Sequence, residues 1–171
     1  LLTYLDRVVD YDVAHVIEVQ AGKTFIVRAQ GYEALGIPLP KDERRPSLNV
    51  QDALTWQWIM ETKRPLVISN VHESNLWKNQ SDQFHVGSWA SAPILIGGEV
   101  AAFLSIGKRE AGYYSDQHGQ RLSAFAAQAA LALQNARLFT TATHRAESLR
   151  LTGELFRSLN AVSNIHDAFP H

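Results

Sequence analysis

Two apolar runs on either side of a Gly-Gly pair constrain the fold more than any other feature. Residues 89–96 and 99–106 are mostly apolar, and Gly97-Gly98 separates them. A two-residue turn between strands favours positive φ, which glycine adopts without steric cost. The pattern therefore predicts an antiparallel hairpin. Because proline donates no backbone hydrogen bond, we expect Pro93 in the first run to lie at an edge or a bulge.

A second hairpin is predicted near the N-terminus. Residues 13–19 and 24–29 have strand composition, and a short turn containing Gly22 joins them. Residues 66–69 form a further short apolar strand. The proline-rich and charged stretch at 31–48 is predicted to be a loop.

One helix is predicted between these hairpins. Asn49 is the expected N-cap, the helix covers 50–63, and Pro65 prevents its continuation. The predicted apolar stripe consists of Val50, Leu54, Trp58 and Ile59. Trp56 and Trp58 lie two residues apart and cannot share a helix face, so we expect one to pack on the sheet and the other to point elsewhere.

The C-terminal region predicts a long helix. Ser115 or Asp116 caps it, and the near absence of glycine and proline favours helix over 116–162. At 1.5 Å per residue this helix measures on the order of 65–70 Å, which is longer than a domain of this size is wide.

The second half of that helix is amphipathic, and nothing remains in the chain to cover its apolar stripe. We therefore expect a parallel homodimer through the N-terminal helix (the amphipathic residues 1–9) and the C-terminal helix. The predicted division is a sensor domain over 1–139 and a helical linker over 140–171, leading to a downstream domain.

Composition excludes several classes of function. Sixteen Lys and Arg against 17 Asp and Glu give a net charge of −1, so the chain has no basic surface for nucleic acid or for a membrane. No apolar run approaches the ~20 residues that span a bilayer, and no signal-peptide pattern is present. We expect a cytoplasmic segment of a longer protein. The absence of cysteine excludes thiolate metal sites and thioether-linked cofactors.

Residues 88–139 resemble the C-terminal half of the GAF domain family, small sensory modules of signalling proteins. They combine a strand with a central proline, a Gly-rich turn, a second strand and a helix that ends in Asn135-Ala136-Arg137-Leu138. Residues 14–19 and 65–69 match the positions of the family's first and third strands. The resemblance covers 1–139 and implies an α+β fold: a GAF-like central antiparallel sheet flanked by helices, with a long C-terminal signalling helix.

The differences from known family members bear on mechanism. Bilin-binding members and free methionine sulfoxide reductases of this fold use cysteines, which this chain lacks. Members that bind cyclic nucleotides carry an Asn-Lys pair followed by Phe and Asp. Lys108 matches that motif, whereas Gly107, Tyr114 and His118 replace its other residues. Cyclic-nucleotide binding is therefore retained as the second alternative function.

No catalytic or metal-binding motif is evident. No two of the seven histidines have the spacing of metal ligands with a carboxylate in register, and His144 lacks the surroundings of a phosphorylated histidine. Haem ligation by His85 is not expected. The chain is predicted to be non-enzymatic, with no cofactor and no metal.

A ligand pocket is predicted between the sheet and residues 70–87, a polar stretch with scattered aromatics that we call the lid segment. The candidate ligand-binding residues are Trp77, Phe84, His85, Trp89, Ser91, Phe103 and Ser105. The predicted function is regulatory sensing of an unknown small molecule within a signal-transduction protein, a sensor histidine kinase, with relay through the dimeric C-terminal helix. The first alternative is a dimerisation and spacer module without a ligand, whose own aromatic side chains fill the pocket.

Overall fold

A six-stranded antiparallel sheet in the order β3-β2-β1-β6-β5-β4 organises the structure. The computed structural model describes residues 2–36, 45–78, 86–132 and 134–135. The strands are β1 (Val13–Gln20), β2 (Lys23–Gln30), β3 (Arg45–Asn49), β4 (Leu66–Ile68), β5 (Ser88–Ile96) and β6 (Glu99–Lys108). The helices are α1 (Leu2–Leu5), α2 (Leu54–Thr62) and α3 (residues 116–132), with 3-10 turns at Glu33–Leu35, Val50–Asp52 and Asn75–Trp77.

Both predicted hairpins are present. The β1–β2 turn places Ala21 at φ 51° and Gly22 at φ 74°, and the β5–β6 turn places Gly97 and Gly98 at 62° and 83°. Positive φ at both central residues matches the twist of the flanking strands. Pro93 lies beyond the part of β5 that pairs with β4, which ends at Ser91, so its missing donor costs no hydrogen bond with that strand.

The prediction of a loop over 31–48 was wrong at its C-terminal end. Residues Arg45–Asn49 form β3, which pairs with β2 at the edge of the sheet, with Pro46 opposite Phe25. An edge strand tolerates proline because its outer side has no strand to bond. The prolines of this segment therefore predict a loop, although an edge position allows a strand that contains Pro46.

Helix α2 begins four residues later than the sequence predicts. Val50–Asp52 is a 3-10 turn, and the Asn49 side chain donates to the Asp52 carboxylate at 2.7 Å instead of capping the helix. The predicted end is correct. The Lys63 N–H bonds the Ile59 carbonyl, and Lys63 takes a left-handed conformation with φ 54°.

The buried face of α2 also differs from the predicted stripe. Leu54 is 42% exposed and Trp58 is half-buried, whereas Thr55, Trp56 and Ile59 are buried. The expectation that one tryptophan packs on the sheet is confirmed, and that residue is Trp56. The stripe was misplaced because the helical period was counted from Val50, which precedes the helix.

One face of the sheet, called the helical face, is covered by α1 and α3. Its buried strand residues are Ala14, Val16, Ala90, Ala92, Ile94, Ala102, Leu104 and Ile106. Alternate positions of a strand share a face, so these side chains form one continuous surface. From α3, Leu122, Ala126 and Ala129 pack against it, and the small alanine side chains allow close approach of helix and sheet.

The start of α3 agrees with the predicted capping. The Ser115 N–H donates to His118 Nδ1 at 3.1 Å, and the Ser115 hydroxyl lies 2.9 Å from the same nitrogen. The bond from the Ser115 N–H is one half of a capping box, with histidine in the position usually held by Glu or Gln, whereas the His118 N–H donates to the Ser115 carbonyl. Residues 134–135 are also helical, and the rest of the predicted helix to 162 lies outside the described residues. Leu1–Leu131 forms one compact unit.

Candidate ligand-binding site

The opposite face of the sheet, called the aromatic face, carries a cluster of four large rings. Trp56 of α2 stacks on Phe103 of β6 with centroids 4.4 Å apart. Trp89 of β5 meets Trp56 edge-on at 5.4 Å and Trp77 at 5.1 Å. All four side chains are buried. Aromatic pairs in these geometries contribute about 0.5–1.5 kcal/mol beyond their buried area, so the cluster is a stable feature of the domain.

Strand alternation explains why the predicted site residues of β5 and β6 gather here. Ser91 pairs with Ser105, and Pro93 pairs with Phe103, across the two strands. Their even-numbered neighbours pack on the helical face. Trp89, Ser91, Phe103 and Ser105 therefore share the aromatic face, as the sequence predicts.

Buried polar side chains form a row across the middle of this face. His15 of β1 lies opposite Ser105, which lies opposite Ser91. The Trp89 indole donates to Ser105 Oγ at 2.7 Å, and the Ser91 hydroxyl donates to the Leu104 carbonyl at 3.1 Å. A buried polar group is costly unless it is hydrogen-bonded, and both serine hydroxyls meet that condition.

His15 occupies the end of the row nearest β2. Its Nε2 lies 2.6 Å from the Tyr32 hydroxyl, and the two rings meet edge-on with centroids 5.3 Å apart. His15 is 2% exposed and Tyr32 6%. The pair therefore places a titratable side chain inside the core on the aromatic face.

Among the described residues, two buried side-chain polar atoms have no hydrogen-bond partner. One is the Trp56 Nε1 in the aromatic cluster, and the other is the Ser88 Oγ at the start of β5. By strand alternation Ser88 belongs to the helical face. Trp56 is 1% exposed, and its indole N–H is the one buried donor of the described aromatic face for which those residues supply no acceptor.

The predicted site residues divide into two groups. Trp77, Trp89, Ser91, Phe103 and Ser105 lie on or against the aromatic face, all buried. Phe84 and His85 lie outside the described residues. Whether any of these residues binds a ligand stays a prediction.

Sequence reasoning missed two members of this face, Trp56 and His15. Trp56 was left out because the α2 stripe was misplaced. The sequence predicts His15 to be a packed or cross-strand residue, which is confirmed, but gives it no place in the candidate site. The alternation Val13, His15, Ile17 was the available signal, since both flanking residues lie in the same core cluster as Trp56.

Lys108, the residue that matches the cyclic-nucleotide motif, forms ion pairs elsewhere. Its ammonium lies 2.8 Å from Asp10 and 3.3 Å from Asp12, which tie β6 to the segment before β1. The hydrogen bond from Lys108 lowers the pKa of the Asp10 carboxyl. Partial burial opposes the charge of Lys108, but its bonds to the two carboxylates outweigh that effect and raise its pKa.

The other positions of that motif also have structural roles. A Cβ at Gly107 would lie 2.3 Å from Val86 Cγ1, so an asparagine there requires Val86 to move. The Tyr114 hydroxyl donates to the Asp10 carbonyl, and burial raises the pKa of that hydroxyl. His118 caps α3. Lys108, Tyr114 and His118 therefore serve the start of α3 and its connection to the N-terminal segment.

Two open grooves lie away from the aromatic cluster. The larger, about 680 Å³, is lined by Trp58, Arg64, Val67 and the first turns of α3. The smaller, about 320 Å³, is lined by Asp12, Gly31 and neighbouring residues.

Within the described parts of the chain, no three His, Asp or Glu side chains come together as metal ligands. Among the same residues, no helix has the length and hydropathy to cross a bilayer.

Comparisons with known proteins identify the class of this α+β domain. A family model for the GAF domain matches residues 1–134. No curated protein sequence matches the chain. The chain belongs to the GAF domain family.

Solved structures agree with this assignment. The domain from a GAF domain/HD domain protein of Geobacter sulfurreducens superimposes with a TM-score of 0.66 at 16% identity, over 80% of this chain and 88% of that one. The GAF domain of a two-component sensor histidine kinase from Bacillus halodurans gives 0.62 at 14% identity, over 81% and 92%. Free methionine-R-sulfoxide reductase from Neisseria meningitidis, in complex with its substrate, gives 0.63 at 13% identity, over 80% and 75%. At these identities the likeness shows the fold.

Proposed function

We propose that this GAF domain senses a small molecule on its aromatic face and regulates a signal-transduction protein. The observation that carries the proposal is the combination on one sheet face of four aromatic rings with a row of buried polar groups. Ligand sites typically join an apolar lining to a few convergent polar groups. The aromatic rings would stack on the ligand, and the polar groups would orient it.

Hydrogen bonds at the ends of the lid segment support a route from this site to α3. The Val71 N–H bonds the Gly87 carbonyl, and the Gly87 N–H bonds the Lys108 carbonyl at 2.8 Å. The Gly112 N–H bonds the Ser69 carbonyl at 2.7 Å. Both ends of the lid segment are thus bonded to the residues that lead from β6 into α3. A ligand that prefers one arrangement of the lid segment would shift the start of α3 by its difference in affinity for the two arrangements.

The same proposal includes the protein that contains the domain, its location and the route of its output. The likeness to the GAF domain of a sensor histidine kinase supports that host, which is expected to be cytoplasmic. The output would pass through a parallel homodimer of the N- and C-terminal helices. The domain itself would be regulatory and non-enzymatic, since the chain has no cysteine for the chemistry of the sulfoxide reductases that share its fold.

The alternative is a dimerisation and spacer module without a ligand. The contacts among Trp56, Phe103, Trp77 and Trp89 favour it, because the rings pack on one another and are buried. Cyclic-nucleotide binding has less support. Lys108 is engaged by Asp10 and Asp12, and the buried side chains of the described aromatic face include no Lys or Arg for a phosphate.

A thermal-shift screen of small metabolites against the purified chain tests the proposal. A ligand at 100 times its Kd stabilises the folded state by about 2.7 kcal/mol, which raises the Tm of a domain this size by roughly 5–10 °C. The shift should shrink in Trp77→Ala, which alters the aromatic cluster. It should persist in Trp58→Ala, where the altered side chain lines the separate groove.

Two outcomes would contradict ligand sensing. One is a screen in which no compound raises the Tm, together with native mass spectra that show only the bare chain. The other is a shift that Trp58→Ala abolishes and Trp77→Ala does not, which would move the site to the groove.

A further inference from the structure

The larger groove lies beside the edge strand β4, between the end of α2 and the first turns of α3. Its volume of about 680 Å³ is within the range of small-molecule sites. The four rings of the aromatic cluster do not line it. Its lining instead combines a different tryptophan with apolar side chains and with two side chains of opposite charge. The groove is therefore a second place where the domain can hold a ligand.

A close contact between α3 and β4 forms the floor of this groove. Gly119 is buried, and a Cβ at that position would lie 2.7 Å from Val67 Cγ2 and 3.9 Å from Pro65 Cβ. Because glycine has no side chain, the helix backbone packs directly on the strand. The two walls of the groove are thus held together at this point, within one compact unit.

The two charged side chains flank that contact. Arg64 immediately precedes Pro65, and Asp116 lies three residues before Gly119, on the same face of the helix. Both side chains are exposed and line the groove, and they form no ion pair with each other. A guanidinium binds a carboxylate, and a carboxylate accepts hydrogen bonds from an ammonium. This end of the groove therefore suits a molecule that carries both charged groups close together.

The rest of the groove suits an apolar body. Trp58 and Val67 are half-buried, so each presents apolar surface to the groove that a ligand can cover. Ser123 and Ala127 follow Gly119 at intervals of four residues and continue its face of the helix. Their small side chains leave the groove wide beyond the charged end.

We infer that this groove binds an α-amino acid with a large apolar side chain. The Arg64 guanidinium holds its carboxylate, the Asp116 carboxylate holds its ammonium, and Trp58 and Val67 contact its side chain. Such a ligand joins β4 to the first turn of α3. The inference adds a site to the one on the aromatic face and does not depend on it.

Three matched probes test the inference on the full chain. Phenylalanine carries both charged groups, 2-phenylethylamine lacks the carboxylate, and 3-phenylpropanoate lacks the ammonium. In ¹H–¹⁵N titrations at neutral pH, the Gly119 amide and the Trp58 indole should report the binding. Phenylalanine should bind about two- to fivefold more tightly than either of the other probes, the range for one ion pair at an exposed position.

Two variants assign the charges, and a third is the control. In Arg64→Gln, phenylalanine and 2-phenylethylamine should bind equally well, while the preference over 3-phenylpropanoate remains. In Asp116→Asn, phenylalanine and 3-phenylpropanoate should bind equally well instead. Arg121→Gln removes an exposed positive charge of α3 outside the groove and should change neither preference. Because Arg64 and Asp116 are exposed, both variants should fold, which their Tm without ligand checks.

Three results would overturn the inference. One is the absence of any shift of the Gly119 and Trp58 signals with phenylalanine at concentrations on the order of 10 mM. Another is a set of preferences that Arg64→Gln and Asp116→Asn leave unchanged. The third is a response to phenylalanine at Trp77 and Trp89 in place of Gly119 and Trp58, which would put the amino acid on the aromatic face.

The proposed function is decided by other compounds. In the metabolite screen, amino acids are scored apart, because a Tm shift that depends on Trp58 is expected for them. The remaining compounds test the aromatic face through the dependence of their Tm shift on Trp77. Failure of either site therefore leaves the other one standing.

Discussion

The two faces of the sheet have opposite characters. On the helical face the buried strand residues other than Ser88 are aliphatic and mostly small, and the alanines of α3 pack directly on them. The aromatic face carries large rings, a histidine and two serines. Each face also buries one polar atom that has no partner among the described residues, Ser88 Oγ on the helical face and Trp56 Nε1 on the aromatic face. The faces differ because only the aromatic face joins large rings to a row of polar side chains, and the candidate function is therefore proposed for that side of the sheet.

The largest expected effect comes from a substitution that disrupts the packing of the helical face alone. Leu104→Ala removes a fully buried side chain between the sheet and α3, and should lower the free energy of unfolding by about 2–5 kcal/mol. Denaturant unfolding measures the loss. Leu95→Ala, on the same hairpin and 37% exposed, is the matched control and should cost much less. Equal losses in both variants would contradict the assignment of Leu104 to a packed core.

A second change overpacks the aromatic face at its end. Gly107→Ala places a Cβ against Val86 and Val13, at 2.3 Å and 3.0 Å from their methyl carbons. We expect a loss of about 1–3 kcal/mol in the free energy of unfolding, as for other overpacked sites. Adding Val86→Ala should restore part of the lost stability. If Gly107→Ala is neutral, the close approach is incorrect.

A third change separates hydrogen bonding from packing on the aromatic face. Ser105→Ala leaves the Trp89 N–H buried without an acceptor and should cost about 1–3 kcal/mol in the free energy of unfolding. In the Trp89→Phe background, which lacks that donor, the same substitution should cost less. A double-mutant cycle by denaturant unfolding measures the coupling. Additive effects would show that the bond between the two side chains contributes nothing to stability.

The smallest expected effect concerns the ion pairs beside the β6–α3 connection. Asp10→Asn should cost at most about 1 kcal/mol, because the Asp10 side chain is 64% exposed and Lys108 keeps its second partner, Asp12. The pKa of Asp10 is lowered from 3.8 in the folded state, so its contribution is present above that pH and is lost as the pH falls through the lower folded value. Unfolding measured at neutral pH and near pH 2 should therefore give a larger difference between wild type and variant at neutral pH than near pH 2. A difference of the same size at both would contradict the role of the carboxylate charge.

The sequence predicted the sheet better than it predicted the site. Alternation and the Gly97-Gly98 turn correctly placed β5 and β6, and hence Trp89, Ser91, Phe103 and Ser105 on one face. Trp56 could not be placed, because Val50 is buried in a 3-10 turn before α2, so the helical period counted from it selects Leu54 and Trp58 instead of Trp56. β3 was missed because an edge strand that contains Pro46 has no local signal of its own. Both failures involve contacts that depend on distant parts of the chain.

The most direct test is methyl NMR of the chain in the presence of a compound that raises its Tm. It measures whether the ligand binds on the aromatic face and leaves the packing of the helical face unchanged. Methyl groups report on each face separately, because Ile17, Ile59 and Val86 belong to the aromatic face and Leu104 and Ile106 to the helical face. Sensing on the aromatic face predicts large shifts in the first set and small ones in the second. Shifts concentrated on Leu104 and Ile106, or equal on both faces, would contradict the account.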